Sequence, residues 1–271
     1  MKSNSETGHD KNVANLEDLI SRCTGYGTAY NPSKASLKIA ALQTLLTNGR
    51  NTLQAVKVAE TAFDNATNAR EIVFKPLKKF CTRVVNSLDS TDAAKQTVDD
   101  LRTINHKIQG VRAHPLDAFV SATTKSNSTT QSENNSSGTT SANATSPNIV
   151  NEISKHTISV SQQSYDSLID HFTKLIQCVT AEPLFLPNEA ELKVTALNTM
   201  LTNLMTTNTG VINAYTSYSN AMLSRNLTLY QNNSGLVDTA LEVKKYVKSV
   251  FGATSPQYKQ IRSILFRKYK F

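Results

Sequence analysis

Residues 30–70, YNPSKASLKIAALQTLLTNGRNTLQAVKVAETAFDNATNAR, and residues 185–225, FLPNEAELKVTALNTMLTNLMTTNTGVINAYTSYSNAMLSR, align without a gap at a constant shift of 155 residues. Seventeen of the 41 positions are identical, among them Pro32/Pro187, Leu37/Leu192, Leu42/Leu197, Val56/Val211 and Arg70/Arg225, and Cys23/Cys178 obeys the same shift. Unrelated segments would match at about two or three positions, so the pair reads as an internal duplication whose copies share a fold.

Each copy reads as one long helix. Pro32 or Pro187 precedes Ser33 or Asn188, whose side chains can accept from first-turn amides, and Asn188 with Glu191 has capping-box spacing. Without an internal proline the helices run to Lys75 and to about Gln231, rods of about 40 residues and on the order of 65 Å. Pro76 removes a backbone donor and is expected to kink or end the first rod.

Two stripes line each rod. Leu42, Leu46, Leu53, Val56 and Phe63, with Leu197, Leu201, Val211, Tyr218 and Met222, form a core face at three- and four-residue spacing. Ala41, Thr52, Ala55, Ala59, Ala62, Ala66 and Ala69, with Ala196, Thr207, Gly210, Ala214, Ser217, Ala221 and Ser224, form a coiled-coil-like seam of small residues that would let backbones approach closely. Either the rods pair with each other, or each clasps a neighbour within its own half.

Shorter periodic segments complete the halves: Leu16–Cys23, Leu77–Leu88, Ala93–Ile108 with Gly110 as its cap, Tyr165–Cys178 and Leu236–Phe251. Residues 121–148 contain no large apolar side chain and are dominated by Ser, Thr and Asn, so they read as a disordered linker. The expected fold is all-α: an internally duplicated antiparallel helical bundle. Its parts are a flexible N-terminus (1–15), repeat one (16–120), the linker (121–148), repeat two (149–253) and a basic aromatic tail (254–271).

Composition agrees. Nine Gly, seven Pro and no Trp in 271 residues argue against a turn-rich sandwich, a collagen or a Gly-looped nucleotide enzyme. Three widely spaced cysteines and five scattered histidines (His9, His106, His114, His156, His171) lack metal or redox spacing, so no cofactor and no enzymatic activity are expected. The polar start MKSNSETGHDKNVAN has no secretory apolar run and no segment approaches the roughly 20 apolar residues of a membrane span, which predicts a cytoplasmic protein.

The stretches YNPSKASLKIAALQTLL, FKPLKKFCTRVVNSL, KIQGVRA and VFGATSPQYKQIRSILFRK resemble an uncharacterised all-helical family associated with Bacteroidota. The resemblance covers most of both halves and not the linker. It implies a helical fold and no activity, ligand or functional residue.

Candidate sites follow from charge. The net charge is +8, and from Glu242 onward eight basic residues face one acid. Interleaved with Tyr258, Phe266, Tyr269 and Phe271, the cations Lys244, Lys245, Lys248, Arg262, Arg267, Lys268 and Lys270 could hold phosphates of a nucleic acid, or the tail could dock on the bundle through Ile261, Ile264, Leu265 and Phe266. Arg70 and Arg225, at equivalent rod positions, could form paired forks for an anion or serve an interhelical contact. Lys75, Lys79 and Arg83 share one helix face. The reading that results is a non-enzymatic interaction or structural protein with a protein partner or self-association, and a nucleic-acid-associated protein is the alternative.

Overall fold

The structure is a computed structural model that describes residues 4–111 and 163–269, and the 121–148 linker lies outside them. Among the described residues eight α-helices and no strand form: α1 (Asn4–Gly25), α2 (Ile39–Phe74), α3 (Leu77–Asp89), α4 (Lys95–Gln109), α5 (Tyr165–Ala181), α6 (Val194–Tyr230), α7 (Leu236–Phe251) and α8 (Pro256–Arg262). None is long and apolar enough to cross a membrane.

The rods open later than their Pro-Ser and Pro-Asn entries suggest. Residues Ala35–Leu37 and Ala190–Leu192 make 3-10 turns, and Lys38 and Lys193, both with ψ 145°, are extended before the α-helix begins. The offset swings Leu37 and Leu192 inward, each 5% exposed. Glu191 closes no capping box; it pairs with Arg83. Nor does Pro76 break the first rod: its ψ of −16° is helical and its carbonyl accepts from Phe80 N at 3.0 Å, so α2 and α3 join into a helical run of 51 residues. The cost of proline falls on the turn before it, where a donor is missing.

Two compact units arise, residues 1–71 with 207–271, and residues 72–206. Unit 1 packs α1 and the first part of α2 against the last part of α6, α7 and α8. Its core holds Val13, Leu16, Leu19, Leu42 and Leu53 together with Leu229, Leu236, Val243, Val247 and Ile261. Within it the two rods meet: Phe63 stacks on Tyr218 at 6.3 Å with the rings 8° apart, and Phe63 lies 5.6 Å from Tyr215. Unit 2 packs the end of α2, α3, α4 and α5 against the first part of α6, with Leu77, Val84, Leu88, Leu101 and Ile108 beside Phe172, Leu175, Leu197 and Leu204.

These units correct the expected division into halves 16–120 and 149–253. Each takes the front of one half and the rear of the other, because each rod contributes its residues to both units. The linker's flanks, α4 and α5, lie in the same unit, so that segment interrupts a unit and does not separate two. Three further expectations change. The chain is helical from Asn4, and His9, Asn12 and Val13 are at most 4% exposed, so residues 8–15 are part of the packed unit and not a flexible arm. The small-residue seam is not a closed interface: Ala55, Ala62, Ala69, Ser217 and Ser224 face solvent, while the large stripe is buried or, at Phe63, Leu201, Tyr218 and Met222, half-buried. Finally, buried Leu16, Leu19, Ile20 and Cys23 of α1 have the spacing of Phe172, Leu175, Ile176 and Val179 of α5, so Cys23 corresponds to Val179, and Cys178 is only half-buried.

Candidate functional site

The basic tail is built into unit 1. Ser255 caps α8 by accepting from Tyr258 N, Pro256 supplies the first-turn φ, and Ile261 at 0% and Ile264 at 6% exposure anchor the chain in the core. The extended residues beyond are held by backbone contacts. Asn12, 2% exposed, donates from Nδ2 to Arg267 O at 2.8 Å and accepts from Arg267 N at 3.0 Å, the pattern a neighbouring strand would make. Asn15 Nδ2 donates to Leu265 O at 2.6 Å.

Next to it lies a buried polar cluster. Tyr230 OH accepts from Asn12 Nδ2 at 3.2 Å and shares a hydrogen bond of 2.5 Å with His9 Nδ1, whose direction follows the imidazole tautomer. Tyr269 packs its ring edge-on against His9 at 5.1 Å and Tyr230 at 5.8 Å, in the space that Gly8 leaves open: a Cβ there would come within 1.8 Å of the Tyr269 hydroxyl. Sequence reasoning missed this cluster, although the spacing His9, Asn12, Leu16, Leu19, Cys23 extends the helical period of α1 backward into the polar N-terminus.

The candidate phosphate contacts divide. Lys244 Nζ donates to Arg262 O at 3.1 Å and Ile264 O at 2.8 Å, and burial pulls its pKa below the usual lysine value. Lys268 pairs with Asp238 at 3.0 Å and donates to Asn232 at 2.8 Å. Asp238 is in turn held below the usual carboxylate range, first by the Asn233 amide and then by Lys268. Lys248 lies 5.9 Å over the Tyr258 ring. Lys245, Lys248, Arg262 and Arg267 face solvent. Lys270 lies outside the described residues. Two of the seven thus serve to hold the tail, and the structure does not gather the others with them into one site.

Arg70 and Arg225 bond to amides. Arg70 Nη1 donates to Asn208 Oδ1 at 3.1 Å across the rod pair. Arg225, 4% exposed, donates from Nε at 3.1 Å and Nη2 at 2.9 Å to Asn226 Oδ1. These bonds suit helix contacts better than an open anion site. Lys75 and Lys79 are exposed, and Arg83 is taken by Glu191. Among the described residues no His, Cys, Asp and Glu group could hold a metal ion. Burial pushes the Cys23 and Cys81 thiols up to about 12, which keeps both protonated at neutral pH.

One surface stands apart. The 37 residues of α6 carry a single charged side chain, the buried Arg225, and its solvent side presents Ile212, Tyr215, Leu223 and Leu227 at 54–61% exposure. At the aligned positions of α2 stand Lys57, Glu60, Asn68 and Ile72. No protein-family profile, curated protein or solved structure matches the chain.

Proposed function

We propose that this chain is a non-catalytic interaction or structural protein, and that in unit 1 the uncharged outer side of α6 is its contact surface. The observation that carries the reading is the difference between the aligned rods. Both bury Leu42/Leu197 and Val56/Val211, yet where α2 exposes Lys57 and Glu60, α6 exposes Ile212 and Tyr215. Core packing does not require this at Ile212, which points to water as Lys57 does, and Tyr215 stays 55% exposed even with its ring 5.6 Å from Phe63. Loss of charge with gain of aromatic and branched apolar side chains is the composition of a protein interface, and exposed clusters of this kind mark contact sites. The free thiols Cys23, Cys81 and Cys178 suit a reducing compartment, which keeps the cytoplasm as the expected location.

The test is sedimentation velocity over a wide concentration range, followed by cross-linking in a lysate, for the natural chain and for Ile212→Glu with Leu223→Glu. Both substitutions are on exposed sites and should leave the helical spectrum intact. Loss of self-association or of a cross-linked partner in the variant supports the surface. A natural chain that stays monomeric and cross-links to the same proteins as the variant overturns it.

The nucleic-acid reading rests on Lys245, Lys248, Arg262 and Arg267, which remain open to solvent. Oligonucleotide titration at two salt concentrations tests it, compared with Lys245→Glu, Lys248→Glu and Arg262→Glu together. Point substitutions are used because removing residues 254–271 would take away the buried Ile261 and Ile264 along with the charge.

A further inference from the structure

Each unit is completed by the half of the chain that did not begin it. In unit 1 the front of the first half (Val13, Leu16, Leu19, Leu42) is closed by the rear of the second (Leu236, Ala240, Val243, Val247). In unit 2 the front of the second half (Phe172, Leu175, Leu197, Leu204) is closed by the rear of the first (Leu77, Cys81, Val84, Leu88). The two closing sets share one spacing, and all eight of their side chains are at most 1% exposed. The fronts correspond as well, with Leu42 and Leu197 both at 0%.

The rods add a second observation. Phe63 and Tyr218 occupy aligned positions, one shift of 155 residues apart, and they stack on each other. A residue that meets its own equivalent is the signature of an isologous, two-fold contact, the kind that joins two copies of one protein.

A third observation concerns the connection. Gln163, just before α5, donates from Nε2 to Lys107 O at 2.7 Å, and Lys78 Nζ donates to both Gln163 Oε1 at 3.1 Å and Gln109 O at 3.3 Å. The end of α4 and the start of α5 are therefore pinned side by side by their own contacts. No span has to be bridged between them.

We infer that residues 4–111 and 163–269 are binding partners through these surfaces without the segment between them, so that halves from two copies of the chain can be traded. The buried sets that close the units are continuous with the fold, so a copy that opens can refold only against another half. This inference is independent of the α6 surface, whose residues Ile212 and Leu223 face away from the cores.

The experiment uses the full chain with a protease site placed within residues 121–148. After circular dichroism establishes the native helical signal, the chain is cut to completion and run on a native sizing column. The expected result is a single species at the mass of the uncut chain that contains both fragments. An equal mixture of cut chains, one pool carrying a tag on the first half and the other isotope-labelled, is then unfolded in urea and refolded. Capture on the tag should return native pairs in which half of the 163–271 fragments come from the other pool. As a second measurement, deletion of Ser121–Asn148 from the uncut chain should leave the melting temperature unchanged. Fragments that elute apart after cutting, fragments that fail to refold as pairs, or a deletion that lowers the melting temperature would each overturn the inference.

Discussion

Replacing Asn12 with Ala tests whether the tail is part of the fold. The side chain makes three hydrogen bonds: to Arg267 O at 2.8 Å, from Arg267 N at 3.0 Å, and to Tyr230 OH at 3.2 Å. At about 1 kcal/mol each their sum is about 3 kcal/mol. The Arg267 peptide is only partly buried and regains water when the amide is gone, and Tyr230 keeps His9, so the net cost comes to about 2 kcal/mol. If the loss falls on the tail, its open population rises by about 30-fold, at 1.4 kcal/mol per decade. The assay is trypsin cleavage after Arg262, Arg267 and Lys268, read by mass against time, alongside the urea midpoint. Asn15→Ala, which removes one bond at an exposed site, serves as the comparison and should change the rate little. Equal cleavage rates for the natural chain and Asn12→Ala, with an unmoved midpoint, would refute the docked tail. So would immediate loss of the tail from the natural chain while the rest keeps its native spectrum.

Other substitutions probe the cores. Ile261→Ala, at a site with 0% exposure, should cost about 2–5 kcal/mol in urea unfolding, as for a core helix although it sits in what reads as a basic tail. Gly49 is buried under Leu236 and Val13, whose methyls would lie 3.2 and 3.3 Å from a new Cβ. Gly49→Ala gains about 1 kcal/mol of helix propensity and loses about 1–3 kcal/mol to overpacking. It should therefore destabilise the protein, measured as a lower urea midpoint. His171 is shifted below its ordinary pKa, first by burial; Asp170 opposes the shift, and Lys107 and Lys174 reinforce it. Because the folded pKa lies below the unfolded one, the unfolded chain takes up the proton first, so stability falls as pH drops below about 6.5 and levels off beneath the folded pKa. His171→Leu should remove that part of the slope between neutral pH and about pH 5, and raise stability at neutral pH because neither ring nitrogen has a hydrogen-bond partner among the described residues. Urea midpoints at the two pH values decide it.

The helices were legible because their buried positions repeat at the helical period, and α3, α4, α5 and α7 lie within a few residues of where that period places them. The exchange of rears between the two units was not legible. Leu77, Cys81, Val84 and Leu88 have the spacing of Leu236, Ala240, Val243 and Val247, so either set fits either front as far as pattern goes, and only three-dimensional packing selects one. Polar positions misled in the opposite sense. His9 and Asn12 read as solvent-loving, but their partners Tyr230 and Arg267 lie more than 200 residues away, and satisfaction by such partners is what permits burial. Lys244 and Lys268 read as free charge and instead hold backbone and Asp238, a use of cations that composition does not distinguish from phosphate binding.

The comparison of the rods separates what the fold demands from what it permits. Aligned positions that face the cores keep their character: Leu37 and Leu192 are each 5% exposed, and Val56 and Val211 are 1% and 5%. At the outer positions the rods diverge, and the direction of divergence is informative. Lys57 of α2 pairs with Asp10 at 3.3 Å, and Arg50 with Glu17 at 2.5 Å, so part of α2's charge is spent on α1. Where α2 has Lys57, α6 has Ile212 at 54% exposure, and where α2 has exposed Glu60, α6 has Tyr215, 55% exposed with its ring 5.6 Å from Phe63. A helix that needed only solubility would keep charge at such a site, since a large apolar side chain in water gains nothing for the fold. The proposed function is placed on α6, which carries Ile212, Leu223 and Leu227 along one uncharged length, and not on α2, which keeps charge at Lys57 and Glu60 although it exposes Ile72 at the position of Leu227.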